Sequence, residues 1–134
     1  MTTSTTIKRT KTATQVLIVD DAPLVRRELR TLLSLTGELD IVGEATNGLE
    51  AIQQIEELQP DVVLMDLEMP VMDGYEATRQ IKAQHPACRV VALTVHSYDE
   101  AHKKALQAGV DAFIVKGTPV DKIVQAITER RIKS

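Results

Sequence analysis

Val16-Leu17-Ile18-Val19-Asp20-Asp21-Ala22-Pro23 decides the fold. Four apolar residues run without alternation into two adjacent acids, and a proline then stands where a helix would open. A continuous apolar run suits a parallel strand covered on both faces, because neither face meets water. Proline at the first helical position loses nothing, since the missing N–H has no intrahelical partner there. The pattern recurs at Val62-Val63-Leu64-Met65 before Asp66, at Val90-Val91-Ala92-Leu93 before Thr94 and at Phe113-Ile114-Val115 before Lys116. A weaker run, Ile41-Val42-Gly43, makes the fifth, and an amphipathic helix is expected after each. Asn47 and Ser97 precede Glu50 and Glu100 at capping-box spacing, and Thr118-Pro119 reads as a cap followed by a first-turn proline. Gly37 and Gly109 are placed to end helices, and Pro60 and Pro86 prevent continuation. Five strand–helix units are too few for a closed eight-stranded barrel, so the expectation is an α/β, doubly wound (βα)5 parallel sheet of order 2-1-3-4-5.

The rest of the 134 residues narrows the function class. With 43% hydrophobic residues the chain has material for one ordinary domain. Sixteen Lys and Arg against 19 Asp and Glu give a formal charge of -3 and force no broad basic face, so no direct nucleic-acid partner is expected. The longest apolar runs fall far short of the ~20 residues of a membrane span, and no apolar signal region follows Met1. A soluble cytoplasmic protein with no membrane partner is the expectation. Cys88, the single cysteine, makes no disulfide or zinc motif and reads as a core or strand-edge residue. Residues 1–14, threonine-rich with Lys8, Arg9 and Lys11, carry no periodicity and read as a disordered tail. Residues 15–130 then form the domain and 131–134 a short charged tail.

In an open α/β sheet the ligand site lies outside the carboxyl ends of the strands. Here those ends deliver Asp20 and Asp21, Asp66, Thr94 and Lys116. A charged residue at one strand end only marks the surface; five such residues converging on one edge is a different matter. Three carboxylates held together repel one another and raise a pKa unless a cation relieves them. An all-oxygen cluster without Cys or His suits a hard ion such as Mg2+. Lys116 adds a point charge able to steer a phosphoryl group, and Thr94 adds a hydroxyl donor. A carboxylate beside Mg2+, flanked by these two, can form and hold an acyl phosphate. Asp66, the lone acid at a central strand end, is the candidate nucleophile, with Asp20 and Asp21 on the metal side.

Val-Leu-Ile-Val-Asp20-Asp21, Pro-Asp-Val-Val-Leu-Met-Asp66-Leu-Glu-Met-Pro-Val-Met-Asp-Gly, Val-Val-Ala-Leu-Thr94 and Ala-Gly-Val-Asp-Ala-Phe113-Ile-Val-Lys116 together resemble the receiver domain of two-component response regulators. The resemblance spans about Gln15 to Glu129. Gly-Glu-Ala-Thr-Asn-Gly and Leu-Thr-Val-His-Ser-Tyr-Asp-Glu are most similar to receivers of the LuxR/FixJ type, which precede a helix-turn-helix DNA-binding domain that these residues do not contain. It implies a flavodoxin-like fold and a phosphorelay switch rather than an enzyme, its chemistry confined to gaining and losing one phosphoryl group. By the resemblance, Asp66 accepts a phosphoryl group from a histidine of a sensor kinase or phosphotransfer protein. Asp21, Asp66 and the backbone carbonyl of Glu68 ligate Mg2+ directly, and Asp20 acts through a metal-bound water. Thr94 is the switch hydroxyl, Lys116 its phosphoryl-binding companion, and Phe113 the aromatic that turns inward when Thr94 moves. The output face is then α4-β5-α5, read by a downstream effector or a DNA-binding domain supplied elsewhere, and a phosphorylation-dependent dimer is compatible with it.

Several positions depart from the family pattern. Val95 places a branched side chain beside Thr94, where it narrows access for water or a phosphatase. The Glu68 acid is placed to contact a bound ion or Lys116, or else only solvent, and His96 is placed at the site rim; both join Val95 as access-modulating candidates. Gly117 follows Lys116 where many receivers carry a cis proline, so a trans peptide or a local rearrangement is expected. Leu24 lies off the Val25, Leu29, Leu32 and Leu33 core stripe and is a candidate kinase-docking contact. Two other functions compete: a phosphorylation-independent interaction module, and a small Mg2+-dependent phosphohydrolase of the haloacid-dehalogenase type, whose acids come in a different order.

Overall fold

The computed structural model describes residues 13–96 and 99–129. Strands and helices alternate strictly: β1 Thr14–Val19, α1 Pro23–Ser34, β2 Leu39–Ala45, α2 Gly48–Leu58, β3 Val62–Asp66, α3 Gly74–Gln84, β4 Arg89–Thr94, α4 Asp99–Ala108, β5 Ala112–Val115 and α5 Val120–Thr128. All neighbouring strands are parallel, in the order β2-β1-β3-β4-β5. That is the doubly wound order 2-1-3-4-5 expected from the apolar runs.

Alternate residues of each strand face opposite layers, and both layers are dry. Leu17, Val19, Val63, Met65, Val90 and Ala92 pack under α2, α3 and α4, where Ala51, Ile55, Ala77, Ile81, Ala105 and Ala108 meet them. Val16, Ile18, Val62, Leu64, Val91, Leu93 and Ile114 pack under α1 and α5 against Leu29, Leu33, Ile123, Val124 and Ile127. Cys88 is buried among the first group, and burial pushes its thiol up to about 11, as suits a core residue.

The helices follow the sequence signals with two exceptions, one at a helix end and one in a core stripe. Pro23 opens α1, and Asn47 caps α2 by accepting from the Glu50 N–H at 2.9 Å. The Glu50 carboxylate returns to the N–H and hydroxyl of Thr46, both at 2.8 Å, one residue before the cap that a strict capping box would use. Gly109, at φ +106°, ends α4 with its N–H on the carbonyls of Ala105 and Leu106. The first exception is the start of α5. Its cap is Pro119, not Thr118, and the helix opens at Val120; the Thr118 hydroxyl donates instead to the Val115 carbonyl at 2.6 Å. The second is Leu32, expected in the core stripe but 39% exposed, because it lines a groove of about 430 Å3 between α1 and the start of α5.

β1 takes in Thr14, whose N–H donates to the Glu38 carbonyl at 3.2 Å, so the sheet reaches one residue into the stretch read as tail. The Ser97 cap, residues 1–12 of the tail reading and the charged segment 131–134 lie outside the described residues. No peptide bond among the described residues is cis, including that before Gly117.

Candidate functional site

Every strand end that carries a polar residue delivers it to the same edge. β1 ends beside Asp20 and β3 at Asp66, and both side chains are almost wholly buried; Asp21 is exposed. One oxygen from each of these three acids lies within 4.8 Å of the others. Asp20 Oδ1 accepts the Ala22 N–H at 2.9 Å, closing a turn that leads the chain into α1. Asp20 Oδ2 faces Lys116 Nζ at 3.0 Å, and the same ammonium stands 3.5 Å from Asp66 Oδ1. The Glu68 N–H reaches Asp66 Oδ1 at a long 3.4 Å.

The charges do not balance. Burial, and secondarily the neighbouring Asp20, push the Asp66 carboxyl up to about 6 against the pull of Lys116. Burial works against the Lys116 ammonium too, but Asp20 and Asp66 outweigh it and hold its pKa above the usual lysine value. One ammonium therefore serves two acids and leaves Asp21 outside its reach. The donor set is all oxygen, two of its members are desolvated, and the carboxylates carry a charge excess. Such a set fits a hard divalent cation such as Mg2+ and does not fit zinc.

Thr94, buried at the end of β4, accepts the His96 N–H on Oγ1 at 3.1 Å, while its carbonyl takes the Lys116 N–H at 2.7 Å. Phe113 pairs with Ala92 across the sheet. It is half-buried, and its ring stacks on His102 of α4 at 4.6 Å between centroids and 16° between planes. Val95 is 63% exposed. The Glu68 side chain, 55% exposed, faces solvent as a loop acid would and makes no ion pair with Lys116; it pairs with His96 Nε2 at 2.9 to 3.0 Å, joining the β3–α3 loop to the segment after β4. Leu24 is 72% exposed on the first turn of α1.

Three supporting residues escape a reading of strand ends. Asp73 caps α3 on the Glu76 N–H at 2.9 Å, and its carboxylate is thereby committed to the helix. Gly74 starts that helix so close to β3 that a Cβ would run into the Asp66 carbonyl. The Met-Asp-Gly sequence holds this signal as a cap followed by a residue without a side chain. Arg26 lies a turn into α1, and its Nη1 donates to the Asp20 carbonyl at 2.7 Å. Nothing in its spacing from Asp20 announces that contact.

An open parallel sheet of order 2-1-3-4-5 with this acid–hydroxyl–lysine edge defines a class, and the chain belongs to it: residues 16–128 match the family described as the response regulator receiver domain. Receiver domains are signalling proteins of two-component systems that bind Mg2+ at an acidic pocket, and Asp20, Asp21 and Asp66 form a cluster here that can hold a metal. The chain is 44% identical over 113 residues to the response regulator protein VraR of Staphylococcus saprophyticus, an alignment covering 84% of this chain and 54% of VraR. Among solved structures it is similar to a LuxR-family two-component response regulator from Aurantimonas sp. (TM-score 0.81, 35% identity, covering 86% of this chain and 82% of that one). It is also similar to a chain of the CheX-CheY-BeF3-Mg2+ complex from Borrelia burgdorferi (TM-score 0.81, 28% identity, covering 90% of each). The chain spans about half the length of the curated relatives it matches. Among the described residues no helix is long and apolar enough to cross a membrane.

Proposed function

We propose that this domain is a phosphoacceptor switch of a two-component phosphorelay, with Asp66 as the phosphorylated residue. The observation that carries the reading is the setting of Asp66: buried at a central strand end, 3.5 Å from Lys116 and beside a second buried acid. An Asp66 oxygen attacks the phosphorus of a phosphohistidine on a sensor kinase or phosphotransfer protein. The P–O bond forms as the P–N bond breaks, and the imidazole takes the P–N electron pair and leaves as the neutral base, its other ring nitrogen already carrying a proton in the phosphohistidine. Asp21, Asp66 and the Glu68 carbonyl would hold Mg2+ directly, with Asp20 acting through a water. When bound, the ion offsets the charge of the phosphoryl group in transfer. Lys116 takes one phosphoryl oxygen as an ion pair, which draws it from Asp20. Thr94 exchanges its present role as acceptor from the His96 N–H for donation to a phosphoryl oxygen.

The Thr94 hydroxyl leaves a space, and the Phe113 ring, now stacked on His102, turns into it. The α4-β5-α5 face then changes and is read by an effector or by a DNA-binding domain elsewhere, in the cytoplasm, with dimerisation as one output. Glu68, Val95 and His96 control access to the phosphoryl group, and Leu24 is a contact for the kinase. Incubation with acetyl phosphate and Mg2+ tests the reading by intact-protein mass. The wild type is expected to gain one phosphoryl mass, labile to hydroxylamine, and Asp66→Asn none. Equal labelling of both, or of neither, contradicts it; turnover of small phosphomonoesters points to the phosphohydrolase instead.

A further inference from the structure

Behind the acid cluster lies a second ionic group that touches neither Lys116 nor Asp66. The Arg26 side chain is only 16% exposed and is held at two places. Nε donates to Glu44 Oε1 on β2 at 3.0 Å, and Nη1 donates to the Asp20 carbonyl at 2.7 Å. Glu44 is itself fixed. Its other oxygen takes Arg30 Nε at 2.7 Å, and its carbonyl takes Gln54 Nε2 from α2 at 2.6 Å. The Arg30 hydrogen bond, followed by that of Arg26, keeps the Glu44 carboxyl below the usual glutamate range, so the group stays charged through neutral pH.

The Asp20 carbonyl belongs to the peptide that joins Asp20 to Asp21. Its orientation sets the direction in which both carboxylates leave the chain. The N–H on the other side of Asp20 is tied to the Ala45 carbonyl at 3.1 Å, immediately after Glu44 on β2. One end of Asp20 is therefore clamped by the β2 backbone and the other by a guanidinium that β2 also holds.

We infer that Arg26 is a positioning residue for the cation site: braced by Glu44, it fixes the Asp20–Asp21 peptide so that two acids meet the ion with Asp66. The inference rests on reading the acid cluster as the Mg2+ site. A guanidinium suits the task because its planar fork serves a carboxylate and a carbonyl at once in a fixed geometry, whereas an ammonium is a single mobile point.

Charge and position give opposite signs, which makes the test sharp. Removing a cation near a cation site strengthens Mg2+ binding if charge alone matters. Removing a brace weakens it, by about tenfold at the lower end for outer-shell partners of a metal site. Mg2+ affinity of the unphosphorylated full chain is to be measured by amide NMR for wild type, Arg26→Met and Arg26→Lys, with thermal melting to verify folding. The expected result is a Kd raised about tenfold in Arg26→Met and by an intermediate factor in Arg26→Lys, which keeps the charge and loses the fork. The amide shifts of Asp20, Asp21 and Ala22 should move in both variants before any Mg2+ is added. Unchanged or tighter binding in the folded variants overturns the inference, and Arg26→Lys decides alone if Arg26→Met does not fold. Absence of Mg2+ binding in the wild type overturns the cation-site reading itself, a result that no behaviour of Arg26 can imitate.

Discussion

The two flanks of the site are built from different materials. On the acid flank, α1 buries Leu29 and Leu33 against the sheet, and Arg26, Arg30 and Glu44 tie it to β2. On the opposite flank, α4 buries only Ala101, Ala105 and Ala108 and leaves Leu106 57% exposed. It is tied to its surroundings by the His102–Phe113 stack and by Lys104 lying 4.3 Å over the Tyr75 ring. A fully buried leucine contributes about 1.5 to 3 kcal/mol, and an alanine methyl roughly 0.8 kcal/mol. The acids are thus carried by a flank made to stay still, and Thr94 and Phe113 by one whose helix is weakly held. In the proposed switch, chemistry that needs fixed oxygens and a signal that needs movement would be served by different halves of one sheet.

The largest effect that can break this contrast is on stability. Leu33→Ala is expected to cost about 3 kcal/mol in urea unfolding. Ala105→Gly on α4 is expected to cost about 1 kcal/mol. Equal costs would mean that the flanks are equally anchored. Next comes the electrostatic load of the acid flank in the metal-free protein. The Asp66 pKa is raised, so its neutral form is favoured by folding. The associated stability is present below pH ~4 and is lost as pH rises through about 6. The loss is up to about 3 kcal/mol by linkage. Urea melts in EDTA from pH 4 to 7 should show this decline in the wild type and not in Asp66→Asn. A parallel decline in both would place the load elsewhere. The smallest effect separates the rims. Val95→Ala should hasten loss of the phosphoryl group by about threefold, ~0.6 kcal/mol of barrier, as followed by intact mass over time. Leu24→Ala should leave that rate alone and slow transfer from the kinase.

Much of this was legible in the chain because burial on both faces of a parallel strand leaves an unbroken apolar run. Val16–Val19 and Val62–Met65 announce their strands, and the residue after each run is necessarily at the functional edge. Asp20, Asp21, Asp66, Thr94 and Lys116 were readable on that ground alone. Short-range signals were readable too, as Pro23 and Asn47 illustrate, but they fix a boundary only to about one residue. Hence α5 opens one residue later than Thr118-Pro119 indicates. What the chain did not disclose are contacts whose partners are set by the sheet order. Arg26 meets Glu44 only because β2 lies beside β1, and Glu68 meets His96 only because β3 and β4 are neighbours. Leu32 obeys the helical period yet faces a groove, because periodicity gives the side of a helix and not what lies opposite it.

The most direct test is amide NMR of the wild type and Asp66→Asn before and after beryllium fluoride, a phosphoryl mimic, is added with Mg2+. Large shifts are expected at Asp66, Thr94, Phe113 and Lys116 that continue along α4, small ones along α1 beyond Ala22, and none in Asp66→Asn. Binding that leaves Thr94, Phe113 and α4 unmoved, or that moves α1 as much as α4, would contradict this.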